Sequence, residues 1–143
     1  MDHSLEVSQS IEINAPLEKV WRGMITPEII KEYLFGTETV TDWKVDSEII
    51  FQGEYQGHKY RDKGIILENE PHKKIAYTYW SGFSGLEDKP ENYSVVILTV
   101  EPLDKNKTKF TWKQRGFANE QGYQHSLSGM KDFLQKIKEV IEK

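Results

Sequence analysis

The chain has 143 residues, 37% hydrophobic and 29% charged, the balance expected of one water-soluble domain with one core. Nineteen basic residues against 23 acidic ones leave a net charge of −4, which argues against non-specific binding to nucleic acid or anionic membranes, because both need a positive field. There is no cysteine, so disulfides, thiolate metal sites and cysteine nucleophiles are excluded.

The first residues, Met1 to Val7, lack the basic segment and apolar run of a signal peptide. No apolar stretch reaches the roughly 20 residues that span a bilayer. A cytoplasmic protein without membrane insertion is expected, and the two glycosylation-like triplets at Asn92 and Asn106 are read as chance.

Leu5, Val7, Ile11 and Ile13 occupy alternate positions, the period of a strand with one buried face. Asn14 offers a cap and Pro16 suits a first helical turn. Val20, Trp21, Met24 and Ile25 then form the apolar face of a short helix over 16–24. Thr26-Pro27 repeats the start signal for a second short helix over 27–34, which Gly36 closes.

From Thr37 to Gly116 the period changes to two, with strands expected near 38–42, 47–56, 58–69, 73–80, 92–101 and 107–116. Gln56-Gly57 reads as a tight turn, and Glu70-Pro71-His72 as a break. Ser81 to Pro90 reads as a loop, and Leu103 to Lys107 as a polar hairpin turn. Consecutive strands with short connections make an antiparallel meander. The final 20 residues carry the clearest helical stripe: Leu127, Met130, Leu134, Ile137 and Ile141 step by three and four, widened by Phe133 and Val140. Asp132 and Lys136 stand as an i,i+4 pair in the favourable order. Such a stripe must be buried, and the sheet is the one large apolar surface available.

Several short motifs share this order. They are Asn14-Ala15-Pro16 with Val20-Trp21, Thr26-Pro27-Glu28, Gly64, Pro71, Tyr79-Trp80, Val100-Glu101-Pro102, Thr111 with Gly116, and a final helix containing Gly129. With them the chain resembles the SRPBCC (START/Bet v1-like) superfamily over about residues 8–142. Within it, the likeness is to the group similar to the C-terminal domain of the activator of Hsp90 ATPase. The resemblance implies an α+β helix-grip fold: a curved seven-stranded antiparallel sheet wrapped around the C-terminal helix, with two short helices after the first strand. Tyr33 and Met130 stand where relatives often carry tryptophan. The chain has no room for the extra N-terminal domain of the eukaryotic co-chaperone, so residues 1–143 are read as a single domain of this group.

The expected function is non-catalytic binding of a hydrophobic or amphipathic small molecule between sheet and helix. Two alternatives stand beside it: a protein-interaction module with an Hsp90-like partner, and an enzyme of the polyketide cyclase or dehydratase type. Four Trp, seven Tyr and six Phe carry the first reading, since aromatic walls with polar tips suit such a ligand. Ile75, Tyr77 and Tyr79 share one strand parity, and Phe110, Trp112 and Gln114 another. Met24 and Phe35 are expected to close the cavity from the helical end. Tyr60, Arg61, Gln114, Tyr123 and His125 are the residues expected to supply orienting hydrogen bonds at its mouth, and a buried Arg61 would anchor a carboxylate. Strand parity admits at most one of Tyr60 and Arg61 inside. His125 is the one histidine considered as a general base. No two histidines have metal-ligand spacing on one element, so neither a metal nor a cofactor is expected. Gly82-Phe83-Ser84-Gly85 mimics a nucleophile elbow, but its second glycine comes one residue early.

Overall fold

The computed structural model describes residues 1–143. Its elements run β1 (Asp2–Ile13), α1 (Leu17–Ile25), α2 (Pro27–Tyr33), β2 (Glu38–Val40), β3 (Glu48–Tyr55), β4 (His58–Glu70), β5 (Lys74–Tyr79), β6 (Ser94–Asp104), β7 (Lys107–Phe117) and α3 (Glu120–Glu142). All seven strands join one antiparallel sheet in the order β1-β7-β6-β5-β4-β3-β2. The first strand is therefore held by the last one, and every other neighbour is consecutive in the chain.

The connections follow local chemistry. Gln56 and Gly57 both have positive φ, 49° and 81°, as a two-residue hairpin between right-twisted strands requires. The segment 81–93 holds only two single 3-10 turns, Gly82–Ser84 and Pro90–Asn92, so the elbow-like motif lies in a loop and not between a strand and a helix. Gly36 closes α2 by donating its N–H to the Lys31 carbonyl at 2.9 Å.

Three local expectations are corrected. Asn14 does not cap α1. Pro16 is the capping residue, and the Asn14 N–H donates instead to Glu142 Oε2 at 2.7 Å, because α3 ends against this junction. Lys138 Nζ reaches the same carboxylate oxygen and the Glu12 carbonyl. Burial alone would raise the Glu142 carboxyl, but these donors hold it below the usual carboxylate range. Asp132 and Lys136 make no ion pair; on α3 the i,i+4 pair that forms is Lys138–Glu142. Leu127 is 40% exposed and falls outside the buried stripe of Met130, Leu134, Ile137, Val140 and Ile141. The helix begins earlier than its apolar stripe, at a cap where Asn119 Oδ1 accepts from the Gly122 N–H at 2.8 Å, and its first turns are mostly exposed.

The core lies between the concave face of the sheet and α3, with α1 and α2 sealing one end. Val7, Ile13, Ile49, Ile66, Ile75, Val96 and Phe110 from the strands meet Leu134 and Ile137 from α3, all almost completely buried. One contact shapes this face. A β-carbon on Gly64 would stand 1.6 Å from the Thr78 carbonyl oxygen, so the two backbones approach as only glycine permits. The Ile65 N–H bonds the Thr78 hydroxyl at 2.9 Å rather than a carbonyl. Along β4, residues 58–65 pair with β3, while the pairing with β5 begins at the Lys63–Trp80 bridge. The sheet turns a corner there.

Gly64→Ala should therefore destabilise the fold by at least about 3 kcal/mol, the upper end of ordinary overpacking costs. Gly57→Ala, whose β-carbon meets open space, should cost only the left-handed backbone penalty of about 1–2 kcal/mol. Urea unfolding midpoints at unchanged slope measure both. Equal losses in the two variants would show that the close approach to Thr78 does not limit stability.

Candidate functional site

Past the corner, β4 turns Tyr60, Asp62, Gly64 and Ile66 toward the helix, while Arg61, Lys63, Ile65 and Leu67 face out. Asp62 is only 7% exposed, although it is a carboxylate in mid-strand. It lies opposite Phe51 of β3. Its Oδ2 accepts from the Tyr79 hydroxyl at 2.5 Å. Its Oδ1 is buried, and no protein group hydrogen-bonds it.

Asp62 lines a cavity of about 220 Å³ between sheet and helix, together with Leu34, Thr37, Phe51, Tyr77, Tyr79, Val96, Trp112, Gln114 and Phe133. The fully buried members, Phe51, Asp62, Tyr77 and Val96, make its floor. The half-buried ones, among them Leu34, Thr37, Gln114 and Phe133, make its rim. The walls are aromatic: Phe51 packs against Tyr77 and Tyr79 at 5.6 and 5.8 Å between ring centres, and Trp112 meets Phe133 edge-on at 5.1 Å. Trp112 Nε1 is a second buried polar atom with no protein partner. Two residues that line the cavity thus each keep one buried polar atom, an acceptor on Asp62 and a donor on Trp112, without a protein partner.

The charges beside Asp62 point elsewhere. Arg61 pairs with Glu48 at 3.8 Å, and Lys63 with Asp88 at 2.6 Å, both outside the cavity. Burial, followed by the charge of Asp62 and the bond to it, pushes the Tyr79 phenol far above its ordinary value, so Tyr79 holds its proton and acts as a donor. Burial alone raises Tyr77. Tyr33 is raised by burial and then by Tyr77, and its hydroxyl donates to the Gly23 carbonyl at 3.0 Å. No group of three or more His, Asp or Glu side chains is placed to hold a metal ion.

The residues expected from the sequence divide. Tyr77, Tyr79, Trp112 and Gln114 meet at the cavity, as their strand parity requires. Met24 does not reach it; it is 2% exposed within the core that α1 buries. Phe35 also fails to close it. Its backbone has a positive φ of 54°, which swings the ring outward to 80% exposure, and its neighbour Leu34 fills the expected place. Tyr60 is half-buried beside the rim, where its hydroxyl and that of Thr37 lie 2.5 Å apart. Tyr123 packs on Phe117 at 5.3 Å, and His125 is exposed on the overhanging start of α3. Arg61 is outside, so it anchors no ligand in the cavity. Asp62 is the residue that sequence reasoning missed. The signal for it was the pair of basic residues at 61 and 63, which cannot both face the core and so assign 62 to the inner face.

A curved antiparallel sheet closed on one long C-terminal helix is the helix-grip architecture of Bet v1-like proteins. Residues 14–142 match the family described as Activator of Hsp90 ATPase homolog 1-like protein, and this chain belongs to that family. It is similar to a protein from Cytophaga hutchinsonii of known solution structure, with 39% identity, 99% of this chain and 97% of that one covered, and a TM-score of 0.83. An HSP90 activator from Plasmodium falciparum shares the fold at 18% identity, with 96% of each chain covered and a TM-score of 0.73. A putative protein of the dynemicin biosynthetic locus shares it at 13% identity, covering 97% of this chain and 48% of that one, with a TM-score of 0.77. No curated protein matches the sequence.

The three buried phenols make alkaline stability a readout of the site. In the folded state Tyr33, Tyr77 and Tyr79 keep protons that the unfolded chain releases near the ordinary value of 10.0. The unfolded state then binds fewer protons, so stability falls as pH rises above that value. The slope is about 1.4 kcal/mol per pH unit for each phenol. Below it, the three phenols are protonated in both states and their contribution to stability does not change with pH. Tyrosinate absorbance followed beside circular dichroism should show these three ionising only as the chain unfolds. Ionisation of all seven tyrosines in the folded protein would contradict this.

Proposed function

We propose that the chain, acting as one domain in the cytoplasm, binds a small amphipathic molecule in the cavity between the sheet and α3, without transforming it. One observation carries the reading: Asp62 Oδ1 and Trp112 Nε1 are buried at the cavity without a protein partner. A buried polar group left unpaired costs about 1–3 kcal/mol. A molecule that donates to one and accepts from the other recovers that loss. Its apolar part gains about 25 cal/mol for each Å² removed from water against the aromatic walls. Tyr79 donates to Asp62 Oδ2, which fixes the carboxylate's orientation and leaves Oδ1 for a ligand.

Protein interaction is the second reading. The family description supports it, as does one surface feature: Ile65 and Leu67, 40% and 43% exposed, line a hollow on the outer face of β4 with Pro90 and Tyr93. The cavity lies on the opposite face of the same strand, so one experiment separates the two roles.

That experiment is a titration of the isotope-labelled protein with benzyl alcohol, followed by nuclear magnetic resonance. The indole N–H signal of Trp112, assigned with Trp112→Phe, should shift saturably. Gln114→Trp, which fills the rim, should abolish the shift while thermal unfolding stays cooperative. A Trp112 signal indifferent to benzyl alcohol, or equal binding by the folded Gln114→Trp variant, would favour the interaction reading.

A further inference from the structure

We propose that the ligand of this cavity is a small organic cation, an alkyl or aryl ammonium, with its N–H on Asp62 Oδ1 and its carbon skeleton against Tyr77, Tyr79 and Trp112. The inference rests on the binding role proposed above and adds the charge of the ligand.

Four observations lead to it. Asp62 is the only lining residue with a formal charge, because no Lys, Arg or His reaches the cavity. A buried charge needs a partner, and the Tyr79 hydroxyl satisfies only one of the two carboxylate oxygens. The neighbouring cations Arg61 and Lys63 are engaged by Glu48 and Asp88 on the far side of the strand, so neither serves Asp62. The walls of the cavity are aromatic, and ring faces attract a cation as it leaves water. Together these make the cavity complementary to positive charge and hostile to a fatty acid or any other carboxylate.

The size and remaining polarity narrow the class. At about 220 Å³ the space is smaller than the roughly 300–1,000 Å³ of pockets for drug-sized molecules, so a long acyl chain is excluded. Trp112 Nε1 is a donor on the same cavity and calls for an acceptor on the ligand, such as a hydroxyl or ether oxygen. Gln114 at the rim can bond to either kind of group. A compact amino alcohol or an arylalkylamine carrying one oxygen combines these features.

The test compares three probes of one shape and different charge: benzylamine, benzyl alcohol and benzoate, each titrated at neutral pH against the Trp112 indole signal. Benzylamine should bind at least about tenfold more tightly than benzyl alcohol, the gain of a charge-assisted bond over a neutral one. Benzoate should give no saturable shift. Asp62→Asn, which keeps the side-chain shape, should erase the preference for the amine, so that benzylamine binds no more tightly than benzyl alcohol. If benzyl alcohol equals or exceeds benzylamine, or if folded Asp62→Asn keeps the preference, the cation inference falls and the binding role stands. If none of the three probes binds, both fall. Should Asp62→Asn fail to fold, the ranking of the probes on the wild-type chain decides the matter.

Discussion

The approach of the Thr78 carbonyl to Gly64 is the constraint on which the site depends. Without a side chain at 64, the β5 backbone comes over β4, and the ladder beyond that point belongs to β3 alone. Asp62 lies two residues past this contact on the concave face, one residue beyond the last bridge to β5. Tyr79 stands at the end of β5 and reaches across to it. A flat sheet would have packed these strands against α3 throughout, and the space beside Phe133 would have been filled. Curvature keeps the far strands away from the helix, and polar side chains occupy the interval.

Much of the fold was legible because its periods are clean. The alternation in β1 and the stripe on α3 each follow from one-sided burial, and the prolines at 16 and 27 mark where the two short helices start. Parity also placed Tyr77, Tyr79, Trp112 and Gln114 on one surface. What failed was whatever depended on a single backbone dihedral or on distance along an element. Phe35 points outward because its φ is positive, which no pattern of apolar residues reveals. His125 and Leu127 lie on α3, but ahead of the point where the helix meets the sheet. Met24 reads like a cavity residue and is a core residue, since an apolar face looks the same whether it meets a void or another side chain. Asp62 was missed for a different reason: in β4 both faces carry apolar residues, so alternation alone does not say which one is inside.

The fold of this chain is shared by proteins of quite different description, among them an HSP90 activator and a protein of a biosynthetic locus. Fold does not fix function, because the grip of sheet on helix is compatible with a filled interior, an open one, or a surface role. The chemistry of this chain's interior is local. One carboxylate oxygen of Asp62 and the indole N–H of Trp112 are buried without a protein partner in a mostly apolar interior. Polar groups at such a place are costly, and a packed core would be expected to replace them with carbon. Their presence makes the concave face chemically specific in a way that its hydrophobic neighbours alone would not.

The pairing of β1 with β7 has a consequence for how the chain acquires this structure. During synthesis β1 emerges first, yet its only strand partner is the last one made. The end of α3 also packs back onto the segment following β1, through Glu142 and Lys138. The β3–β4, β4–β5 and β6–β7 hairpins can form as they leave the ribosome, since each closes over a short loop, and β5 joins β6 across the longer segment 80–93. The first strand has to wait, with one sheet edge unpaired, until β7 has been made. Loop closure over that distance is entropically slow, and an orphaned strand is a surface on which nascent chains associate. The placement of charged and polar residues at Glu6, Ser8, Ser10 and Glu12, alternating along β1, keeps one face of that waiting strand soluble until β7 arrives.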